Sequence, residues 1–404
     1  MIPARSLIAF CVLGFVLMLG YSMARPAVES LFLTVYSSAL LPWVWIAVAV
    51  GTGGSVLLYW HAAAGKTLVT IYVQTTIVAA LILLLLIAGC SLKIPGSVFL
   101  LYIWKDIYVI ILVEIFWTIA NHIFSLRSAE RLYGLFLGVG SIGSIAGNML
   151  VGPIATTFGS SMVLWVVLGS LIIMLAPVPW LSGTIQARLD SAAKSSISYA
   201  EGFKLLWQSR TIFLLNILIA SSQIVITLID YVYNLALETR YPDTDIRTAI
   251  GGNIYAWVNG LAFLLQFLTK PLLQSLGAGR VLVTIALTLI IIFGGFLLSS
   301  QFLGIAVAKI ASKCFDYSIF RSAKEILYIP LNYTEKTLGK AFVDMFTYRF
   351  AKGAASAMLL VVTVVSKSLI ANVLVVMFLG LWIGVSRALS KRHNTALQVL
   401  GKES

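Results

Sequence analysis

Apolar residues fill this chain in long blocks separated by short polar turns. A helix needs about 20 mostly apolar residues to cross a hydrocarbon core about 30 Å thick. Blocks of that length fall at 6–24, 41–60, 67–90, 97–124, 131–155, 160–181, 211–235, 249–274, 280–300, 302–326, 341–366 and 368–387. They are too long for barrel strands. Backbone groups in lipid must bond within their own segment, so each block is expected to be a helix. The first block follows one basic residue, Arg5, and leads straight into further apolar blocks, so it reads as a span and not as a cleaved leader.

Six blocks precede the longest polar stretch, 182–210, and six follow it. The expected architecture is all-α: a polytopic membrane protein of twelve transmembrane helices in two six-helix bundles, the major facilitator plan. The bundles would be 1–181 and 211–404, the latter with a cytoplasmic tail, joined by a cytoplasmic linker whose second half is amphipathic. An internal echo supports a repeat: Pro153-Ile-Ala-Thr-Thr-Phe158-Gly159 closes the fifth block and Pro271-Leu-Leu-Gln-Ser-Leu276-Gly277 closes the eighth.

Composition agrees. The chain is 60% hydrophobic and 11% charged, against about 45–50% and about 25% in soluble domains. The net charge of +13 does not point to nucleic acid, because the basic residues are scattered over short loops and form no soluble basic face. Membrane topology accounts for them. With a cytoplasmic N-terminus, outer loops carry Arg25, Lys93, Arg240, Arg247 and Lys367, and inner segments carry about three times as many basic residues. Both termini are therefore expected in the cytoplasm, with a bacterial inner membrane as the setting. Cys11, Cys90 and Cys314 show no metal spacing and read as small apolar residues. Gly138-Val-Gly140-Ser-Ile-Gly143 fits the dinucleotide fingerprint in letters, but it lies inside a membrane block, where small residues serve close helix packing. No nucleophile–His pair, P-loop or metal cluster is visible, so neither enzyme activity nor a cofactor is expected.

Ionisable residues within spans are costly and usually face a cavity or a partner. The tenth block carries Lys309, Lys313, Asp316 and Lys324, which at about 100° per residue fall within an arc of about 80°. A mostly positive stripe on a membrane helix suggests a watered path for an anion; a buried ion-pair network between helices is the plainer alternative. The eleventh block adds Asp344, Arg349 and Lys352, the seventh a lone acid, Asp230, and the fourth Lys105, Asp106 and Glu114. Asp230 could take a proton, a cation or a substrate amine, or pair with a lysine of the tenth block. Lys105 and Asp106 could equally be a solvated pair near the membrane boundary. Arg25 ends the first block, where it could reach a cavity mouth or snorkel to headgroups.

Several stretches resemble the nucleotide transporter family, the ATP/ADP translocases of plastids and intracellular bacteria. Lys324-Glu325-Ile-Leu-Tyr328-Ile329-Pro330-Leu331 resembles its K-E-M-x-Y-I-P-L, and Leu338-Gly339-Lys340-Ala341-Phe-Val-Asp344 its K-G-K-A-A-I-D. Arg349-Phe-Ala-Lys352-Gly353 resembles R-x-G-K-S, Phe116-Trp117-Thr-Ile-Ala120-Asn121 resembles F-W-x-F-A-N, and Ala129 to Phe136 resembles A-K-R-F-Y-P-L-F. The resemblance implies the major facilitator fold and exchange of a phosphorylated nucleotide. Arg25, Lys313, Lys324, Arg349 and Lys352 would then bind substrate, and Asp106, Glu114, Asp230, Asp316 and Asp344 would gate or couple. One departure stands out: where the family has Lys-Asp-Thr-Leu in its first helix, this chain has Val28-Glu29-Ser30-Leu31. A proton-coupled carrier of another small anion, with Asp230 as coupling site, is the alternative, and a non-transporting scaffold of the same fold is a third reading. The expected partners are a small anionic metabolite and the lipid bilayer.

Overall fold

The computed structural model describes residues 4–63, 65–124, 126–182, 207–332, 335, 339–340, 343, 347–365 and 369–403. Regular structure among them is helical throughout. The first half contributes α1 (Ala4–Tyr36), α2 (Leu41–Ala63), α3 (Leu68–Ser91), α4 (Ser97–Ile123), α5 (Leu126–Phe158) and α6 (Ser160–Ile173). The second contributes α7 (Arg210–Arg240), α8 (Thr244–Leu276) and α9 (Ala278–Ser299). Next come α10 (Phe302–Phe315, then a π-helical turn Asp316–Phe320, then Arg321–Leu327), α11 (Tyr348–Val365) and α12 (Leu369–Glu403). Nine candidate spans among the described residues are long and apolar enough to cross a membrane. The three other long helices, α4, α10 and α11, are the ones that carry Lys105 and Asp106, the Lys309–Lys324 stripe, and Lys352. The helical bundle expected from the apolar blocks is therefore present, and most of the linker 182–210 lies outside the described residues.

Several boundaries differ from the sequence reading, and three have a bearing on the site or the fold. The first helix does not stop at residue 24 but runs through Pro26 to Tyr36. A proline need not end a membrane helix, where neighbouring groups re-satisfy the freed carbonyl, and Arg25 bonds Glu29 one turn on. Helix α8 begins five residues earlier than expected, at Thr244; Asp243 Oδ1 accepts from the Asp245 and Ile246 backbone N–H groups, an Asp cap on the helix start. Helix α12 continues past residue 387 to Glu403.

The Pro–Gly echo has a structural counterpart. Gly159 and Gly277 share one backbone conformation, φ 88° with ψ 153° and φ 78° with ψ 153°. Each donates its N–H to the carbonyl four residues back, at 2.9 and 3.0 Å, and each is followed at once by a new helix. Positive φ at that junction favours glycine, so both turns need the residue the repeat supplies.

The chain forms two compact units. Unit 1 comprises residues 1–40, 50–194 and 241–260, and unit 2 residues 41–49, 195–240 and 261–404. In unit 1, α1 packs on α4, α5 and α6. The glycine run of α5 serves this packing: a Cβ on Gly143 or Gly147 would collide with the carbonyl oxygens of Phe15 and Leu19 on α1. The stripe that resembles a nucleotide fingerprint is thus a helix-contact surface. In unit 2, α7 packs against α10, α11 and α12.

Candidate functional site

The centre of unit 2 is charged and buried. Helix α7 places Gln223 and Asp230 seven residues apart, and α10 places Lys309 and Lys313 one turn apart, so each pair lies on one helical face. The packed faces bring them together. Lys313 Nζ lies 2.6 Å from Asp230 Oδ2, and Lys309 Nζ lies 3.5 Å from Asp230 Oδ1. Lys309 is fully buried and stacks over Tyr233, 3.8 Å from the ring centroid. One carboxylate is thereby shared by two lysines, whose hydrocarbon stems and aromatic neighbour replace water around the charge. Of the readings the sequence left for Asp230, pairing with lysines of α10 is present in the structure.

Three residues beyond Lys313, the π-helical turn begins at Asp316. Asp316 is buried, and its Oδ1 accepts from Gln223 Nε2 at 3.1 Å. The wide turn shifts the helical phase and interrupts the stripe; π-bulges of this kind are frequent at functional sites. Lys324 follows, buried, 3.6 Å from Glu325 and 5.3 Å from the Tyr348 ring centroid. Lys352 on α11 lies 5.9 Å from the Trp45 ring centroid. Arg349 sits within the helix span of α11, but its side chain, like Asp344, lies outside the described residues.

Unit 1 holds a second set. Arg25 Nε lies 3.3 Å from Glu29 Oε1, and its guanidinium sits 4.1 Å from the Tyr255 ring centroid. The Tyr255 hydroxyl donates to the same carboxylate at 3.1 and 3.3 Å. On α4, Lys105 is buried to 1% exposure, bonds Asp106 at 3.0 Å and lies 3.8 Å from the Tyr102 ring centroid. The boundary reading of Lys105 is corrected by that burial. Glu114, further along α4, is exposed.

Tyr255, Tyr233, Gln223 and Trp45 were not among the sequence candidates. Glu29 had a usable signal, since an acid four residues after Arg25 is a helix ion-pair spacing. Tyr255 had none, being 226 residues from Glu29 in sequence.

What the arrangement offers chemically is positive charge in a dry setting. Lys309, Lys313, Lys324 and Lys352 stand in unit 2 with Asp230 and Asp316. An anion bearing several oxygens would find charge-assisted donors there.

Comparison with known proteins bears on family and fold. The TLC ATP/ADP transporter family profile matches residues 95–393. The chain is 25% identical to ADP,ATP carrier protein 1 of Chlamydia pneumoniae over 288 residues, which span 60% of this chain and 55% of that carrier. It is 24% identical to ADP,ATP carrier protein 3 of Rickettsia conorii over 353 residues, 73% of this chain and 70% of the relative. This chain thus covers about half of the chlamydial carrier's length and about seven-tenths of the rickettsial one's. Among solved structures, the nucleoside transporter NupG superposes with a TM-score of 0.69 at 12% identity over 95% of this chain and 98% of that one. The peptide transporter PepTSo gives 0.68 at 9% identity over 98% and 99%. At such identities the likeness is one of fold, and the fold is the major facilitator type. With the family profile matching most of its length, the chain belongs to the TLC ATP/ADP transporter family.

Proposed function

We propose that this protein is a secondary transporter that exchanges adenine nucleotides of the ATP/ADP type by alternating access. The observation that carries the reading is the Asp230 carboxylate shared by Lys309 and Lys313 in the interior of unit 2. In the empty state the carboxylate contacts Lys313 closely and stands 3.5 Å from Lys309. A nucleotide phosphate that takes over one or both lysines releases Asp230, so loading changes the internal pairing of the helices. An obligate exchanger needs an empty state that reorients slowly. Buried charge left without its partner, which costs about 3–5 kcal/mol, supplies such a barrier. Lys324, Lys352, Arg349 and Arg25 are the further substrate-binding candidates. Asp106, Glu114, Asp316 and Asp344 are the candidates for gating. The names of the chlamydial and rickettsial relatives support the substrate class. The excess of basic residues on inner segments supports cytoplasmic termini, and the bacterial relatives support a bacterial inner membrane.

The deciding experiment is uptake of labelled ATP and ADP into proteoliposomes preloaded with either nucleotide, with wild type and Lys313→Gln side by side. Uptake that requires internal nucleotide and collapses in the variant is the expected result. Absence of uptake under every loading overturns the nucleotide reading.

A second reading is a proton-coupled anion carrier. It is favoured by Asp316, a buried carboxylate whose hydrogen-bond partner is the neutral Gln223 amide. Its mark would be uptake into empty vesicles driven by an imposed pH gradient and lost in Asp230→Asn or Asp316→Asn.

A further inference from the structure

The inner half of α8 (Thr244–Leu276) has two unlike faces. Leu264, Phe267 and Leu268 form one, exposed by 59%, 68% and 53%, as lipid-facing side chains are. On an adjoining stripe Gln266, Lys270 and Gln274, themselves exposed, recur at four-residue spacing, with buried Thr269 beside them. A membrane helix has no reason to hold such a stripe against lipid; it belongs against water or protein. The stripe lines an open groove of about 420 Å³ whose far wall is Ser322 and Ile326, in the segment of α10 beyond the π-helical turn. The volume lies within the range of small-molecule sites. The donors around it are one ammonium, two primary amides and two hydroxyls, and no carboxylate lines it among the described residues. Leu273 and Ile326 give it an apolar patch. None of these residues belongs to the Asp230–Lys309–Lys313 cluster.

We propose that this groove is a second anion site, an inner vestibule in which Lys270, flanked by Gln266, Gln274 and Ser322, holds the phosphoryl oxygens of the solute at the cytoplasmic mouth of the pathway. The proposal deepens the transporter reading and rests on it for sidedness. The chemistry is that of a phosphate ester or anhydride: a cation for the charge, amides and hydroxyls for the remaining lone pairs. A phospholipid headgroup carries the same oxygens, so the experiment must separate the two sources.

Nucleotide uptake by intact cells expressing the carrier reports the outer affinity, and uptake by inverted vesicles reports the inner one. Lys270→Gln is expected to raise the inner KM about five- to tenfold and to leave the outer KM within about twofold, as loss of one charge-assisted contact on one face does. Lys270→Arg is expected to restore most of the inner affinity. A purely structural role would move both constants and would not separate the two replacements by charge. Occupancy is tested without transport in detergent-purified Gln274→Cys carrier in which Cys11, Cys90 and Cys314 are serine. Inorganic pyrophosphate is expected to slow thiol modification of that cysteine. Protection by anionic phospholipid without protection by pyrophosphate overturns the proposal in favour of a headgroup site. Equal inner KM values for wild type and Lys270→Gln, with robust exchange, overturn the vestibule alone. Pyrophosphate protection in a carrier that exchanges no nucleotide leaves the anion site standing and sinks the nucleotide reading instead.

Discussion

The two units treat buried charge differently. In unit 1 two cations have an acid one turn or one residue away, Arg25 with Glu29 and Lys105 with Asp106, and a third, Arg247, is buried against backbone carbonyls. An aromatic ring covers each of the two paired cations as well, Tyr255 and Tyr102. In unit 2 Lys324 also has a neighbouring acid, Glu325, but Lys309 and Lys313 share a single acid, Asp230, that comes from a different helix. A local pair can be satisfied within one helix and stays satisfied when helices move. A shared acid reached across two helices is a pairing that a ligand can replace. On the proposed function, the difference favours the shared carboxylate of unit 2 as the place of anion chemistry over the local pairs of unit 1.

The largest expected effect tests that assignment directly. Lys313→Gln removes the closer of the two lysines and should lower exchange by about a hundredfold or more, a loss of about 3 kcal/mol in transition-state binding. Arg25→Gln in unit 1 should lower it far less, by about tenfold at most, if Arg25 is held chiefly by Glu29 and Tyr255. Comparable losses in both variants would erase the contrast and make Arg25 a substrate contact of equal weight. The same proteoliposome exchange assay reads both.

The next effect is on stability. Asp230→Asn leaves two buried ammonium groups without their carboxylate, which should cost about 3–5 kcal/mol. Lys309→Met in the same background should return part of that loss, because it removes one uncompensated charge. Thermal unfolding of the purified carrier measures the cycle, and the residual coupling between positions 230 and 309 should be about 1–3 kcal/mol. Additive losses would mean that the 3.5 Å contact between Lys309 and Asp230 contributes nothing of its own.

How much of this was legible in sequence follows from the same physics. The helices were readable because lipid enforces apolar blocks of nearly fixed length, and the blocks that departed from pure hydrophobicity, α4, α10 and α11, were the ones that carry charge. Lys309, Lys313 and Asp230 could be chosen as intramembrane charges from their setting alone. Their mutual pairing could not, because it depends on which faces of α7 and α10 meet. The π-helical turn at Asp316–Phe320 was invisible, since nothing in its composition, Asp-Tyr-Ser-Ile-Phe, forbids an ordinary helix. The long reach of α1 through Pro26 to Tyr36 was not read because the apolar block stops at Arg25, and a charged residue at the edge of a block does not mark the end of its helix. Tyr233 and Trp45 were missed because an aromatic residue in a membrane helix is ordinary until a cation is found over it.

A moderate effect is expected from the α1–α5 contact in unit 1. Gly147→Leu should destabilise the carrier by about 2 kcal/mol or more, because the new side chain meets the backbone of Leu19 rather than a movable side chain. Gly138→Ala, a position with open space around it, should be near neutral. Reduced surface expression of the first with normal expression of the second is the readout.

The smallest effect concerns the hydroxyl of Tyr255. Tyr255→Phe keeps the ring under the Arg25 guanidinium, 4.1 Å from its centroid, and removes only the hydrogen bond to Glu29. A hydrogen bond to a charged group contributes about 1.5–3 kcal/mol at full burial, and the remaining Arg25 contact to this part-exposed carboxylate softens the loss to about 1 kcal/mol. The melting temperature should fall by a few degrees, and exchange should stay within about threefold of wild type. Tyr255→Leu removes the ring too and should add about 0.5–1 kcal/mol for the lost cation–π contact. If Tyr255→Phe instead weakens nucleotide binding while leaving the melting temperature alone, Glu29 is the group that gates Arg25. Unit 1 then holds a second replaceable pairing, as unit 2 does.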